Sequence, residues 1–204
     1  MIKVFTLLDY LFLPNFEIDY KDVFVDQKFN EYYETILLNI NVSSEKLTNL
    51  YNFPNINIVD FAGENLFDYI YQNTSEASLF MMPHLIVNLP SLSKRINVAA
   101  EQLFLQKNYQ AKNLERVLSC VKDSNYKEIV TKQFNESSIF SDSYFGTTLY
   151  SSDLMYGTKS FYSSLCDCFK ELNNSNVLDI ESHYKFDLIL NLTLLKNEYH
   201  INSV

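Results

Sequence analysis

The chain has 204 residues, 47% of them apolar and 20% charged, and carries a formal net charge of −9. That composition excludes disordered, collagen-like and low-complexity classes, and the length fits one domain or one domain with an elaboration. Phosphates repel so acidic a surface, which argues against nucleic acid as the main partner.

Ile2–Leu8 reads as a strand. The apolar start, Met1 to Pro14, is interrupted by Asp9 and lacks a small-residue cleavage site, so a buried first strand is expected rather than a secretion signal. Val23–Val25 reads as a short strand. Gln27–Ile40 places Phe29, Tyr32, Tyr33, Ile36, Leu37 and Ile40 at helical spacing, which predicts a helix. Ser44 would cap a second helix through Tyr51, ended by Pro54. Asn55–Phe61 alternates in the manner of a strand. Glu64–Tyr71 reads as a short helix, and Leu79–Val87 as a buried strand broken at Pro83.

Beyond Pro90 the pattern turns helical. Ser91 is a good cap, and Leu92, Ile96, Ala99, Ala100 and Leu103 form one apolar stripe. Leu114, Val117, Leu118 and Val121 form the next, and Tyr126, Ile129, Val130 and Phe134 a third. Ser137–Gly157 is rich in Ser, Tyr and Gly and reads as an irregular loop or a weak hairpin. Thr158 would cap a helix with Phe161, Leu165, Cys168, Phe169 and Leu172 on one face. Leu188–Leu195 alternates like a strand, yet leucine favours helices, and a buried helix is expected. No stretch reaches the length of a membrane span; Phe186–Leu195 covers half of one. The fold class expected is α/β or α+β and helix-rich. A small mixed sheet, built mainly from the N-terminal half, would pack against several amphipathic helices. Residues 1–204 would form a single domain, with an α/β part over about 1–90 and a helix-rich part over about 91–204.

Chemistry-bearing motifs are sparse. Gly63, Gly146 and Gly157 are isolated, so the chain cannot build a phosphate-cradling loop of the Walker or G-x-G-x-x-G kind. Cys120, Cys166 and Cys168 are odd in number and poorly spaced for disulfides, which points to reduced thiols and a cytoplasmic location. On a helix Cys166 and Cys168 point about 160° apart and cannot share a metal; Cys168 reads as core and Cys166 as partly exposed. His84, His183 and His200 have no partner at metal-ligand spacing. No metal, no cofactor and no catalytic residue is assigned.

Three weaker features remain. Residues 1–80 hold four lysines against twelve acidic residues, and Glu17, Asp19, Asp22 and Asp26 interleave there with aromatics including Tyr20. That segment reads as a solvated edge strand or as a docking surface for a basic protein partner, with Tyr20 as anchor. Asp60 and Glu64 fall near the carboxyl end of the Asn55–Phe61 strand, where open α/β sheets bind ligands. His84 sits in the apolar context MMPHLIV and reads as a buried neutral imidazole, a weak ligand candidate. The only basic region runs from Lys94 and Arg95 to Lys132 and reads mainly as solvated helix faces.

Two functional classes follow. The favoured one is a non-enzymatic acidic interaction protein that binds and inhibits or scaffolds another protein, in the manner of immunity proteins and phage-encoded inhibitors. The alternative is a metal-independent or degenerate nucleotide- or sugar-handling α/β enzyme of glycosyltransferase type, or a structural subunit of a larger assembly. In that enzyme DLMYGTKSFYSSL, from Asp153 to Leu165, would follow an active-site loop. The Asp-x-Asp motif by which metal-dependent glycosyltransferases hold an ion on the diphosphate occurs nowhere in the chain.

Overall fold

A computed structural model describes residues 2–8, 33–48, 50–53, 55–62, 65–88, 92, 95–96, 102–110, 112–143, 146–179, 182 and 184–203. The first strands are β1 (Ile2–Leu8), β2 (Tyr33–Asn39), β3 (Ile56–Asp60) and β4 (Ala77–Met81). Later in the chain come β5 (Leu103–Lys107), β6 (Ser141–Asp142), β7 (Gly146–Thr147), β8 (Tyr150–Thr158) and β9 (Ile201–Ser203). Helices are α1 (Leu66–Asn73), α2 (Asn113–Val117), α3 (Ser124–Glu136), α4 (Lys159–Asn174) and α5 (Lys185–Lys196).

Among the described residues seven strands form one sheet in the order β3-β2-β1-β4-β8-β5-β9. All run parallel except β8, which is antiparallel to both β4 and β5. This is the α/β class expected, and the sheet reaches further into the second half of the chain than the sequence pattern indicated. One face buries Phe5, Ile36, Leu38, Phe80 and Leu105 against α1, α4 and α5. The other buries Val4, Leu37, Leu79, Met81 and Tyr156 against Leu47, Leu50, Leu92 and Ile96.

Both sheet faces are therefore covered, and this explains where helical periodicity misled. A strand buried on both sides is a continuous apolar run, and short runs of that kind do not distinguish strand from helix. Residues 33–39 of the expected Gln27–Ile40 helix are the interior strand β2, hydrogen-bonded on both edges; residues 27–32, like the expected Val23–Val25 strand, lie outside the described residues. Leu103 belongs to strand β5 and not to a helical stripe, since Phe104 faces the opposite side. The Leu79–Val87 strand stops at Met81, and a 3₁₀ turn starts at Pro83. The helix expected from Ser44 is a turn over 44–48 followed by a 3₁₀ turn at Leu50–Asn52. Ser137–Gly157 is more regular than a loop: it holds the small β6–β7 pair and most of β8.

Local chemistry sets the helix starts. Asn65 caps α1 by accepting from Asp68 N, Asp123 caps α3 through Tyr126 N, and Thr158 caps α4 through Phe161 N. The expected Leu188–Leu195 helix lies within α5, buried all round from Leu188 to Leu194. Tyr162 of α4 is fully buried and donates its hydroxyl to Met155 O at 2.9 Å, tying the helix to β8. All three cysteines are free and buried, Cys166 included, so its expected exposure is not observed.

Candidate functional site

Strands β2 and β3 lie to one side of β1 in the sheet and β4 to the other, so the strand order reverses between the parallel neighbours β1 and β4. Crevices outside the carboxyl ends of strands at such a reversal are the usual ligand sites of open α/β sheets. Here those ends are Leu8 of β1 and Met81 of β4, and the chain continues from β4 as Met82-Pro83-His84. Because β8 runs antiparallel, its amino end reaches the same edge: Met82 N donates to Asp153 O at 2.7 Å.

Next to this edge lies a cleft of about 390 Å³. Gln106, Lys107, Asn108 and Tyr109 line it from the end of β5, and Ser151 and Asp153 from the start of β8. The lining is largely amide, hydroxyl and carboxylate. Lys107 pairs with Asp142 at 3.3 Å, with both side chains half-buried or better, so its charge is already balanced. Its ammonium also lies 5.7 Å from the centre of the Tyr109 ring, which is 48% exposed. Gln106 Oε1 is buried and accepts no hydrogen bond. A buried acceptor without a donor is uncommon and needs an account.

Helix α5 bonds the β8 residues that alternate with the lining ones. Asp187, in its first turn, accepts from Ser152 N and from Ser152 Oγ, both at 2.6 Å. Burial pushes the Asp187 carboxyl above the usual carboxylate range, and the two Ser152 donors offset this only in part. One turn on, the fully buried Asn191 accepts from Tyr150 N at 2.8 Å and donates to Tyr150 O at 2.7 Å.

The residues singled out in the sequence are dispersed. Asp60 does end β3 at the carboxyl edge, but its carboxylate accepts from Asn39 Nδ2 at 2.8 Å, within a turn in which Asn39 also bonds Val42 in both directions. His84 follows β4 and is exposed, which corrects the expectation of a buried imidazole. Three strand spacings, about 14 Å, separate the ends of β3 and β4, so Asp60 and His84 do not converge. Glu64, His183 and the acidic set Glu17, Asp19, Tyr20, Asp22 and Asp26 lie outside the described residues. Gln106, Asn108, Ser151, Asp153, Asp187 and Asn191 carried no sequence signal beyond the placement of Asp153 at the start of a segment following a site loop. They share no motif, because the topology rather than the spacing brings them together.

In the basic stretch Lys112 and Lys132 behave as solvated surface, whereas Lys107 lines the cleft. Lys112 and Lys132 make 3.9 Å pairs with Glu115 and Glu136 across exposed helix faces. Among the described residues no helix is long and apolar enough to cross a membrane.

No protein-family model matches the chain, and no curated protein matches its sequence. Solved structures do match its fold. The chain is similar to the bifunctional glycosyltransferase WbbM in its apo form, with a TM-score of 0.59 and 13% identity over 100% of this chain and 38% of that one. It is similar to the glycosyltransferase GlyE of Streptococcus pneumoniae TIGR4, with a TM-score of 0.52 and 12% identity over 98% of this chain and 45% of that one. It is also similar to the Mn/GDP form of core-mannan synthase A from Aspergillus fumigatus, with a TM-score of 0.53 and 10% identity over 99% and 72%. The chain thus spans less than half the length of the first two. These likenesses show the fold, which is the GT-A type. They overturn the favoured expectation of a non-enzymatic inhibitor or immunity-like module, whose smallness, acidity and lack of motifs are equally compatible with a glycosyltransferase fold.

Proposed function

We propose that the chain binds a nucleotide-linked sugar at the carboxyl edge of its sheet, as a metal-independent or catalytically degenerate protein of glycosyltransferase type. The observation that carries the proposal is the polar cleft, set beside the strand reversal of a GT-A-type sheet. Its chemistry favours the sugar over the phosphates. Amides and a serine hydroxyl can exchange hydrogen bonds with sugar hydroxyls, and a hydroxyl donor would satisfy Gln106 Oε1. Tyr109 adds an exposed aromatic surface. With Lys107 balanced by Asp142 and Asp153 present as an acid, the cleft offers an anion little attraction. The crevice beside β1 and β4 is left for the nucleotide.

The fold neighbour in its Mn/GDP form raises the question of a divalent ion. The residues here do not fit one. The segment after β4 reads Met82-Pro83-His84 and supplies no carboxylate. Among the described residues no group of three or more His, Cys, Asp or Glu side chains could hold a metal. No step is therefore assigned to an ion. Cytoplasmic residence belongs to the same proposal, supported by three free thiols. Steering of a basic partner by the Glu17–Asp26 acids would be a separate property of that segment.

The test is calorimetric titration with UDP-glucose, UDP-galactose, UDP-N-acetylglucosamine and GDP-mannose, first in EDTA and then with manganese. Binding of at least one in EDTA, changed little by manganese, is the expected result. No binding by any of them would refute the proposal, and binding that appears only with manganese would refute its metal-independent form.

A further inference from the structure

The start of β8 departs from regular pairing where it meets the cleft. Leu105 pairs with Met155, yet its neighbour Gln106 pairs with Ser151. While β5 advances one residue, β8 advances four, so Ser152, Asp153 and Leu154 form a bulge with no counterpart on β5. Bulges re-aim side chains and cost ladder hydrogen bonds. Groups in and beside the bulge are bonded by two other elements. Met82 N binds Asp153 O and continues the β4–β8 pairing. Side chains of α5 supply further partners: Asp187 receives both donors of Ser152, and Asn191 pairs with both backbone groups of Tyr150, a residue that also pairs with Lys107 of β5. Asn191 Nδ2 also donates to Asp187 O at 2.7 Å, which joins the two contacts one helical turn apart.

The cleft-lining residues alternate with the clamped ones. Tyr150 and Ser152 are held by α5, while Ser151 and Asp153 line the cleft. Ser151 Oγ accepts from Asp153 N at 3.2 Å, so the two lining residues are coupled. We infer that Asp187 and Asn191 are positioning residues that hold the β8 bulge in the one shape presenting Ser151 and Asp153 to a sugar in the cleft. The sugar in this inference rests on the proposed function; the clamp does not. A partly buried carboxylate receiving two short bonds from one residue is an arrangement that a plain helix–sheet contact would not need.

The experiment follows amide hydrogen exchange at Tyr150, Ser152 and Asp153 in the full chain, together with binding of the same four nucleotide sugars. Asp187→Ala should speed exchange at Ser152 by about tenfold to a hundredfold relative to β1 and β2, as loss of a bond to a charged group does. It should also weaken whichever sugar nucleotide the wild type binds by about tenfold or more. Asp187→Asn keeps an oxygen that can accept from Ser152 and should restore most of both, a rescue that mere filling of space would not give. Wild-type exchange and wild-type affinity in Asp187→Ala would overturn the inference. If that variant loses protection throughout β1 and β2, Ser152→Ala decides instead: unchanged exchange at 152–153 and unchanged affinity overturn it, and faster exchange there supports it. Should no sugar nucleotide bind the wild type, the functional proposal fails while the exchange measurements still decide the clamp.

Discussion

Asp187 places a partly buried carboxyl where solvent stabilises its charge less than in the unfolded chain, and the consequence is measurable. Its folded-state value lies above the ordinary one because burial outweighs the two Ser152 donors. The folded chain therefore takes up this proton more readily than the unfolded chain. The group's favourable contribution is fully present below the unfolded value, roughly 3.9, and is lost as pH rises through the folded value. Urea denaturation of wild type and Asp187→Asn should show wild type gaining relative stability as pH is lowered from 7 towards about 4. A difference that stays flat over that range would mean the carboxyl titrates normally. The thiols behave as a second set of buried acids: burial pushes Cys120 up to about 12 and Cys166 up to about 11, and raises Cys168. Thiolate is the reactive form. The native chain should leave all three unlabelled by a disulfide reagent at pH 8, and urea should release all three; rapid native labelling of any one would contradict the burial described.

At the scale of elements, the packing of α4 on β8 turns on one glycine. Gly157 pairs with Ser78 in the sheet, and a Cβ there would lie 2.3 Å from Phe161 Cδ1 and 3.0 Å from Leu103 Cδ2. Phe161 is fully buried, so its ring has no free direction of retreat. Gly157→Ala should cost about 1–3 kcal/mol, the usual range for overpacking, and lower the melting temperature accordingly. Melting at the wild-type temperature would show that the ring can move. The helices were legible in the sequence where a cap precedes an amphipathic stripe, as with Thr158 and the Phe161–Leu172 face of α4. The interior strand β2 was not, because burial on both faces removes the period of two. Nor was the amino end of β8: Tyr150, Ser151, Ser152 and Asp153 have turn-like composition, and partners distant in sequence, β5 and the α5 side chains, hold them as a strand. The cleft was hidden for the same reason, since its walls come from the two strands whose patterns were least regular.

Across the whole molecule, the sheet joins the two halves of the chain through β8. Strands β1 to β4 come from residues before 90, and β5, β8 and β9 from residues after it. We propose that residues 1–204 form one folding unit, because β8 covers the full edge of β4, from Ala77–Thr158 to Met81–Leu154. A fragment of residues 1–90 would lose that partner. It would also lose α4 and α5 from one face of the sheet, baring Phe5, Ile36, Leu38 and Phe80. An uncovered apolar edge strand templates aggregation. Expressed alone, 1–90 is therefore expected to be insoluble or associated, and 91–204 to lack a cooperative melt. Mixed by co-expression, the two should assemble and recover one, since a cut near residue 90 severs none of the strands among the described residues. Size-exclusion chromatography and thermal melting of the separate and co-expressed fragments provide the measurement. A soluble, monomeric 1–90 fragment with its own cooperative transition would show that the N-terminal part is an autonomous domain.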